Sequence, residues 1–380
     1  MNQQNKSDIL EVFIILAMFL LIVVIYVPVA IWEEESYYEK ESRYRMQNVY
    51  DIQSFYSRLT GDKSLSSRPM DRIAKPLSLM NAKIITDNGK LPINIVGNEL
   101  TNATINIEVP SAQIKSGLIF AALNTKGKTI IIENNITRDH TEVMLEAFDA
   151  DIIVRKEKDS KIIEINGKKE LKSKNINVPS DLSSSAFFIV AALINKNSKI
   201  ILKNININPT RNGILLALKK MGANITYKNK RKINSEEVCD IDVESTNLNG
   251  CELESNFSEL MIDEYPILAV AASFANSPSV FRGLDELRVK ESDRLELINE
   301  NLKRCGVNSL IDGNDLIINP SKDYKIKNDK IKTNFDHRIA MSFAIMGSKI
   351  GTLEIEESES INTSFPTFIN EFNKVGGNLS

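Results

Sequence analysis

The sequence predicts an α+β fold of two domains, built from a repeated unit of strands and helices and preceded by a single hydrophobic N-terminal helix. Three observations support this prediction. Residues 12–32 form an uncharged apolar run. From residue 61 onward, a helical pattern that ends in a residue tolerant of positive φ runs into a strand pattern five times. A second helix, with a polar start and an alanine-rich body, lies between successive endings.

The apolar run from Val12 to Trp32 is 21 residues long, enough to cross a hydrocarbon core of about 30 Å as a helix. It is longer than the apolar core of a cleaved signal peptide, roughly 7–15 residues, and no small-residue cleavage site follows it. We therefore expect an uncleaved membrane anchor, with a buried globular helix as the lesser alternative. Basic residues flank the run on both sides, so its orientation stays open.

The composition fits a large globular body. The chain has 380 residues, of which 42% are hydrophobic and 26% charged, and a net charge of −3. Cations and anions are interspersed, so no basic face predicts a nucleic-acid partner. Three cysteines and two histidines show neither disulfide nor metal-ligand spacing, which favours a reducing compartment and no metal site.

The five helix endings share one feature: a residue that accepts positive φ stands immediately before a strand pattern. Asn, Asp and Gly are the residues that tolerate this conformation at a helix C-terminus. They are Asn81, Asp149, Gly222, Gly306 and Gly376. Their spacing is too long for a solenoid and suits a unit of several strands and two helices.

The second helices begin in polar residues and continue in small apolar ones. Ser, Asp and Pro at these starts are ordinary capping chemistry. Their recurrence in equivalent places of a repeat favours a shared binding surface. The four starts are Pro110-Ser111-Ala112-Gln113, Pro179-Ser180-Asp181, Ile262-Asp263-Glu264 and Phe335-Asp336-His337-Arg338.

The stretch Leu287–Leu295 is the most charged helix start. Lys290 and Arg294 are cations four residues apart where the helix macrodipole is positive, an arrangement that should destabilise the terminus. One interpretation is an anion site made of these cations and the first helical N–H groups, with Glu291 available for proton transfer. The alternative is a solvated helix start.

Five motifs in order resemble the 5-enolpyruvylshikimate-3-phosphate synthase family over residues 60–380. They are Ser67-Arg68-Pro69-Met70, Pro110-Ser111-Ala112-Gln113, Ile262-Asp263-Glu264-Tyr265-Pro266, Arg288-Val289-Lys290-Glu291-Ser292-Asp293-Arg294-Leu295 and Asp336-His337-Arg338-Ile339-Ala340-Met341.

The resemblance implies an enolpyruvyl transferase fold of two domains, each of three βαβαββ units, with helix N-termini directed at an interdomain cleft. The chain has five helix endings where six units are expected, and the family's lysine- and serine-rich first helix start is not found in residues 1–60. We therefore expect an N-terminal anchor and linker at 1–59, an incomplete first domain at 60–207 and a second domain at 208–380.

The resemblance also implies which residues bind the substrates. Arg68, Arg294 and Arg338 match the family's arginines for phosphoenolpyruvate, and a guanidinium suits its phosphate and carboxylate because it binds oxyanions bidentately. Ser111 and Gln113 match contacts to shikimate 3-phosphate.

Three further features complete the implied site. Ala112 stands where some members have a second serine, and together with Arg138 it indicates the branch that uses an arginine near the phosphate. A lysine found near the C-terminus of other members is replaced around Thr363–Pro366.

The implied catalytic residues are Asp263, Lys290 and Glu291. Asp263 matches the residue that hydrogen-bonds the shikimate hydroxyl and removes its proton, Lys290 bridges the two substrates, and Glu291 moves a proton at the methylene carbon. His337 is interpreted as a structural histidine.

The implied reaction is enolpyruvyl transfer from phosphoenolpyruvate to shikimate 3-phosphate, in aromatic amino acid biosynthesis, without metal or organic cofactor. A cytoplasmic, monomeric enzyme body is expected, with membrane contact through residues 12–32. Two alternatives stay open: an inactive membrane-tethered fragment, and a UDP-N-acetylglucosamine enolpyruvyl transferase, whose family usually carries a reactive cysteine on a mobile loop.

Overall fold

The computed structural model describes residues 56–61, 63–157, 160–321, 324–326 and 328–380, which divide into two compact units. Unit 1 extends to Lys174 and unit 2 runs from Asn175 to Ser380. The domain boundary predicted at 207/208 therefore falls inside unit 2, and a hinge at that point stays a prediction.

The described residues of unit 1 form one antiparallel sheet, one mixed sheet and four α-helices. Its strands are β1 Tyr56–Leu59, β2 Lys83–Asp87, β3 Lys90–Val96, β4 Thr104–Ile107, β5 Lys128–Glu133, β6 Ile152–Glu157 and β7 Ser160–Asn166. Its helices are α1 Lys63–Ser67, α2 Asp71–Ser78, α3 Ala112–Leu123 and α4 His140–Ala147.

The sheets of unit 1 pack their alternating apolar residues against α2 and α3. The first sheet has the order β1-β3-β2 and is antiparallel, while the second has the order β4-β5-β7-β6, in which only β4 and β5 are parallel. Ile105, Ile131, Ile163 and Ile165 of the second sheet are fully buried against Leu118 of α3. Burial of apolar faces of this kind is the main stabilising term of the unit.

Unit 2 is the larger unit and continues the same alternation of elements. Its strands are β8 Lys199–Asn206, β9 Asn224–Ile233, β10 Glu236–Glu244, β11 Glu252–Leu253, β12 Ser279–Phe281, β13 Asn308–Asp312, β14 Asp315–Asn319, β15 Lys330–Ile331 and β16 Glu354–Ile355. Its α-helices are α5 Leu182–Ile194, α6 Gly213–Lys220, α7 Phe257–Met261, α8 Tyr265–Ser273, α9 Arg294–Arg304, α10 His337–Ile350 and α11 Phe368–Lys374. Short 3₁₀ helices span Ile262–Glu264, Asp285–Val289 and Ser358–Thr363.

The βαβαββ repeat predicted for the fold is confirmed in both units. The sheets β4-β5-β7-β6 and β11-β12-β14-β13 share one strand order. In each of these repeats the first two strands are parallel and the last two form a hairpin. The sheet β8-β10-β9 follows the same order but lacks a described first strand. A parallel bridge between Ser180 and Ile205 stands at that position.

The predicted helix ends are also confirmed. All five ending residues have positive φ: Asn81 at 66°, Asp149 at 64°, Gly222 at 85°, Gly306 at 82° and Gly376 at 100°. Strands follow the first four, whereas no strand is described after Gly376. Local C-cap chemistry thus set four of the five helix-to-strand transitions.

The predicted membrane anchor at residues 12–32 lies outside the described residues. Within the described part of the chain, no helix combines the length and apolarity needed to cross a bilayer.

Candidate active site

The segment that carries Lys290 and Arg294 passes from one helix into another. The 3₁₀ helix Asp285–Val289 ends, Lys290 is extended, and α9 begins at Arg294. Asp293 caps α9, because its Oδ1 accepts a hydrogen bond from the Glu296 N–H at 3.0 Å. The Glu296 N–H therefore binds a carboxylate of the chain itself, and the anion site at this helix start stays a prediction.

Arg294 lies at the centre of a group of charged side chains in unit 2, and its side chain is only 1% exposed. Its Nη1 is 3.2 Å from Asp263 Oδ1, its Nη2 is 2.5 Å from Glu291 Oε2, and its Nε is 2.8 Å from Asp336 Oδ2. Each nitrogen of the guanidinium therefore binds one carboxylate. Arg294 thereby joins the predicted base Asp263 to the predicted proton donor Glu291.

Asp336 fixes Arg294 from the start of α10. Its Oδ1 caps the helix by accepting from the N–H groups of Arg338 at 2.9 Å and Ile339 at 3.5 Å, and its Oδ2 accepts from Ser292 Oγ at 2.9 Å. Asp336 is fully buried. The Asp336 carboxylate therefore both caps α10 and pairs with Arg294.

The pKa values of this group follow from burial opposed by close opposite charge. Burial raises the pKa of Asp336, but Arg294 and the Ser292 hydroxyl lower it by more, so the pKa lies below its usual value. Burial works against the charge on Arg294, whereas Asp336, Glu291 and Asp263 raise its pKa above the ordinary value. Burial, and then Arg338, lowers the pKa of His337 to about 4.

Asp263 lies in the 3₁₀ helix Ile262–Glu264, directly before α8, and its side chain is 17% exposed. Arg338 Nη1 donates a hydrogen bond to the Asp263 carbonyl at 3.3 Å, and Arg338 Nη2 is 4.0 Å from Asp263 Oδ2. The Asp263 carboxylate is therefore held between two guanidinium groups, with one edge exposed.

A second carboxylate at this turn points inward. Glu264 is 1% exposed, accepts a hydrogen bond from Ser183 Oγ and lies 3.8 Å from Arg338 Nη1. Ser183 also accepts from Arg211 Nη2, which pairs with Asp181 Oδ1 at 3.1 Å. The polar helix start at Pro179–Asp181 therefore belongs to the same charged network as Asp263.

The predicted site residues of unit 1 lie at the start of α3, in the loop before α4 and in the turn before α2. Ser111 caps α3 by accepting from the Ile114 N–H at 3.4 Å, and its hydroxyl donates to Gln113 Oε1 at 2.9 Å. Arg138 is partly buried in the loop between β5 and α4. Arg68 is 8% exposed in the turn between α1 and α2.

The structure brings Asp263, Glu291, Arg294 and Arg338 into one contiguous group, with Lys290 next to Glu291 in the chain. The sequence indicated only a capping role for Asp336 and no role for Ser183 or Glu264, although all three stand within or beside the polar helix starts. In unit 1 it missed Lys115, a fully buried lysine in an apolar helix. A lysine within the apolar body of α3 was the available signal.

Among the residues that the structure describes, no group of His, Cys, Asp and Glu is arranged to hold a metal ion. All three cysteines are buried, and burial raises the pKa of Cys251 to about 11 and that of Cys305 to about 12. None has the low-pKa, accessible thiol of a reactive cysteine.

Comparison with known proteins gives one consistent result. Residues 46–372 match the family model EPSP synthase (3-phosphoshikimate 1-carboxyvinyltransferase). A 3-phosphoshikimate 1-carboxyvinyltransferase of Paramagnetospirillum magneticum is 43% identical over 84% of this chain and 73% of its own length. The protein of that name from Petrotoga mobilis is 44% identical over 84% of this chain and 74% of its own length.

Solved structures agree with the sequence comparison. The structure of EPSP synthase from Acinetobacter baumannii matches with a TM-score of 0.74 and 39% identity, over 86% of this chain and 75% of that one.

Proposed function

Because the chain belongs to the EPSP synthase family, we propose that it is a transferase of aromatic amino acid biosynthesis. It transfers the enolpyruvyl group of phosphoenolpyruvate to the 5-hydroxyl of shikimate 3-phosphate and releases phosphate. The main support for this assignment is the sequence identity of 43%, over 84% of the chain, to a protein named 3-phosphoshikimate 1-carboxyvinyltransferase. The geometry of unit 2 supports it, because one arginine holds together the two carboxylates that the reaction needs.

The chemistry is assigned to the residues of unit 2. Asp263 accepts the proton of the 5-hydroxyl as that oxygen adds to C2 of phosphoenolpyruvate, while Glu291 donates a proton to C3. The tetrahedral intermediate then expels phosphate, and Glu291 takes a proton back from C3. The proton lost by the hydroxyl leaves with the phosphate, and Lys290 neutralises the charge that develops.

Arg68, Arg294 and Arg338 are assigned to phosphoenolpyruvate. Arg338 is 17% exposed and keeps its guanidinium within reach of a ligand, whereas Arg294 has a carboxylate on every nitrogen. A substrate anion that binds Arg294 therefore replaces one of those carboxylates. Glu291 is the one to be released, because its side chain is 30% exposed while that of Asp336 is fully buried.

The phosphate of shikimate 3-phosphate is assigned to unit 1. Ser111 and Gln113 lie at the start of α3, where N–H groups and the positive end of the helix dipole favour an anion. Arg138 adds a permanent charge and two parallel donors.

The two alternative functions are not favoured. The relatives that match over most of the chain carry the name of the shikimate enzyme, and burial keeps the cysteines from acting as the reactive thiol of the UDP-N-acetylglucosamine enzyme. The anchor expected at residues 12–32 stays a proposal, tested by whether the full chain sediments with membranes after a high-salt wash.

Phosphate release tests the proposed function. The purified chain is incubated with phosphoenolpyruvate together with shikimate 3-phosphate, and in parallel with UDP-N-acetylglucosamine as acceptor. We expect release only with shikimate 3-phosphate. Release with the nucleotide sugar alone would support the related enzyme, and release with neither acceptor would support the inactive fragment.

A further inference from the structure

Four charged side chains with no part in the proposed reaction lie together in the described part of unit 1, and each is at most 5% exposed. Lys115 is 0% exposed, Glu133 1%, Glu142 4% and Lys161 5%. This set, called the buried charge cluster below, lies beneath the loop between β5 and α4 that carries Arg138.

Strand register explains why a carboxylate is buried here. Thr129, Ile131 and Glu133 alternate along β5 and all face inward, because successive side chains of a strand point to opposite faces. Lys115 reaches the same place from α3, with its Nζ 3.1 Å from Glu133 Oε2 and 2.9 Å from Glu142 Oε1. The ion pairs offset the desolvation of each charge.

The cluster binds both backbone groups of Thr137, the residue before Arg138. The Thr137 N–H donates to Glu133 Oε1 at 2.9 Å, and its hydroxyl donates to the same oxygen. Lys115 Nζ donates to the Thr137 carbonyl at 3.3 Å.

The residue after Arg138 is held by the other lysine. Lys161 Nζ lies 3.5 Å from Asp139 Oδ2 and 3.7 Å from Glu142 Oε1. Asp139 stands at the position before α4 but makes no capping hydrogen bond with its side chain. Its carboxylate is therefore used to hold the loop and not the helix.

The cluster also ties this loop to α3. Lys115 lies four residues after Ser111 on that helix, and Ser116 Oγ is 2.6 Å from Thr141 Oγ1 of α4. The loop with Arg138 and the helix start with Ser111 and Gln113 are thus joined by interactions that are almost completely dehydrated.

Stability alone does not account for four buried charges, since apolar residues of similar volume are usually as stabilising as a buried ion pair. What such a network supplies is a fixed geometry. We propose that the buried charge cluster is a positioning device for substrate recognition: through Thr137 and Lys115 it holds Arg138 at a set distance from Ser111 and Gln113, so that the three grip one phosphate. This inference rests on the proposed function, because it takes Arg138 to be a phosphate ligand.

The test is a double-mutant cycle on Thr137 and Arg138. Thr137→Val removes the hydroxyl without changing the shape, and Thr137→Ser keeps it. We expect Thr137→Val to weaken binding of shikimate 3-phosphate by about tenfold, because a displaced Arg138 loses about one charge-assisted hydrogen bond to the phosphate, with the KM for phosphoenolpyruvate unchanged. Thr137→Ser should restore the wild-type value. In an Arg138→Ala background, Thr137→Val should have no further effect, because the residue it positions is gone.

Binding of shikimate 3-phosphate is measured by calorimetry, so that the result does not depend on turnover. Lys128→Met serves as the control, since it removes a lysine paired with Glu164 at the opposite end of β5. Lys115→Met with Glu133→Gln and Glu142→Gln removes the lysine together with the charges of both its partners, and should reproduce the Thr137→Val effect.

The outcomes separate the two claims. If Arg138→Ala binds shikimate 3-phosphate as the wild type does, the assigned role of Arg138 fails, and the positioning proposal fails with it. If Arg138→Ala weakens binding but Thr137→Val does not, or does so equally in both backgrounds, only the positioning proposal is overturned.

Discussion

Arg294 is unfavourably placed with respect to its own helix but is stabilised by carboxylates from other segments of the chain. A cation in the first turn of a helix is unfavourable with respect to the helix dipole. Here, however, Glu291, Asp263 and Asp336 surround the guanidinium, and the Asp293 carboxylate caps the same helix. Three carboxylates therefore offset the unfavourable position of Arg294 in the first turn of α9, and the arginine links them.

Asp336 provides the first prediction at this scale. Asp336→Asn keeps a side chain that caps helices well but removes the charge that pairs with Arg294. We expect a loss of about 3 kcal/mol in the free energy of unfolding, because one partner of a buried ion pair is removed while Asp263 and Glu291 remain. Urea denaturation measures it.

The matched control for that prediction is Asp293→Asn. Asp293 also caps a helix and pairs with Arg288 at 3.0 Å, but its side chain is 41% exposed. We expect a loss below about 1 kcal/mol, as for surface pairs. Equal losses for the two variants would show that the buried pair with Arg294 does not matter.

His337 provides a prediction about pH. Its pKa is lowered to about 4, first by burial and then by Arg338, with Arg294 acting in the same direction and Asp336 and Glu291 opposing them. Between pH 6.5 and 4 the unfolded chain therefore binds a proton that the folded chain does not, and stability falls as the pH falls. The contribution amounts to at most about 3 kcal/mol across this window.

The comparison that isolates His337 is the pH dependence of unfolding in His337→Gln. Urea midpoints are measured from pH 7 to 4 for both proteins. We expect the variant to lose less stability than the wild type over this range. Parallel curves would contradict a neutral His337.

At the scale of single elements, local chemistry in the sequence predicted where several helices begin and end. The N-caps Ser111, Asp181 and Asp336 and the five positive-φ endings are short-range signals, readable within a few residues. The 3₁₀ helix Asp285–Val289 was not predicted.

The partners of buried polar groups are not local, and this is why they could not be predicted. Arg294 and Asp336 are 42 residues apart in the chain, and Ser183 and Glu264 are 81 apart. Nothing in the periodicity of one helix specifies a partner on another.

The helix endings themselves give an element-scale prediction. Gly306 has φ 82°, and a Cβ there would lie 2.5 Å from the Lys325 carbonyl oxygen, whereas Gly313 has φ 61° and a Cβ there would meet no described atom within 4 Å. We expect Gly313→Ala to cost about 1–2 kcal/mol for the left-handed conformation alone. Gly306→Ala should cost about 3–4 kcal/mol, since overpacking adds to it. Equal losses in urea denaturation would contradict the close approach at Gly306.

At the scale of the whole molecule, recurrence predicted the fold. Five similar helix endings indicated a repeated unit, and the structure has that unit with one strand order in three sheets. The roles of Asp263, Lys290, Glu291 and the arginines came from a family resemblance and not from spacing. Geometry then added what neither source contained: Arg294 bound by three carboxylates, and the buried charge cluster of unit 1.

The central claim is that this chain forms a carbon–oxygen bond at C2 of phosphoenolpyruvate with Glu291 moving the proton at C3. Nuclear magnetic resonance of the purified protein with both substrates in D₂O tests it, because phosphate, the enolpyruvyl ether and deuterium at the methylene carbon are observed together. We expect ether and phosphate in equal amounts, with deuterium in the methylene group. Glu291→Gln should slow the reaction about 100-fold or more, and Glu296→Gln, at an exposed position of the helix that follows, should leave it unchanged. Phosphate without ether, or equal rates for Glu291→Gln and the wild type, would contradict the account.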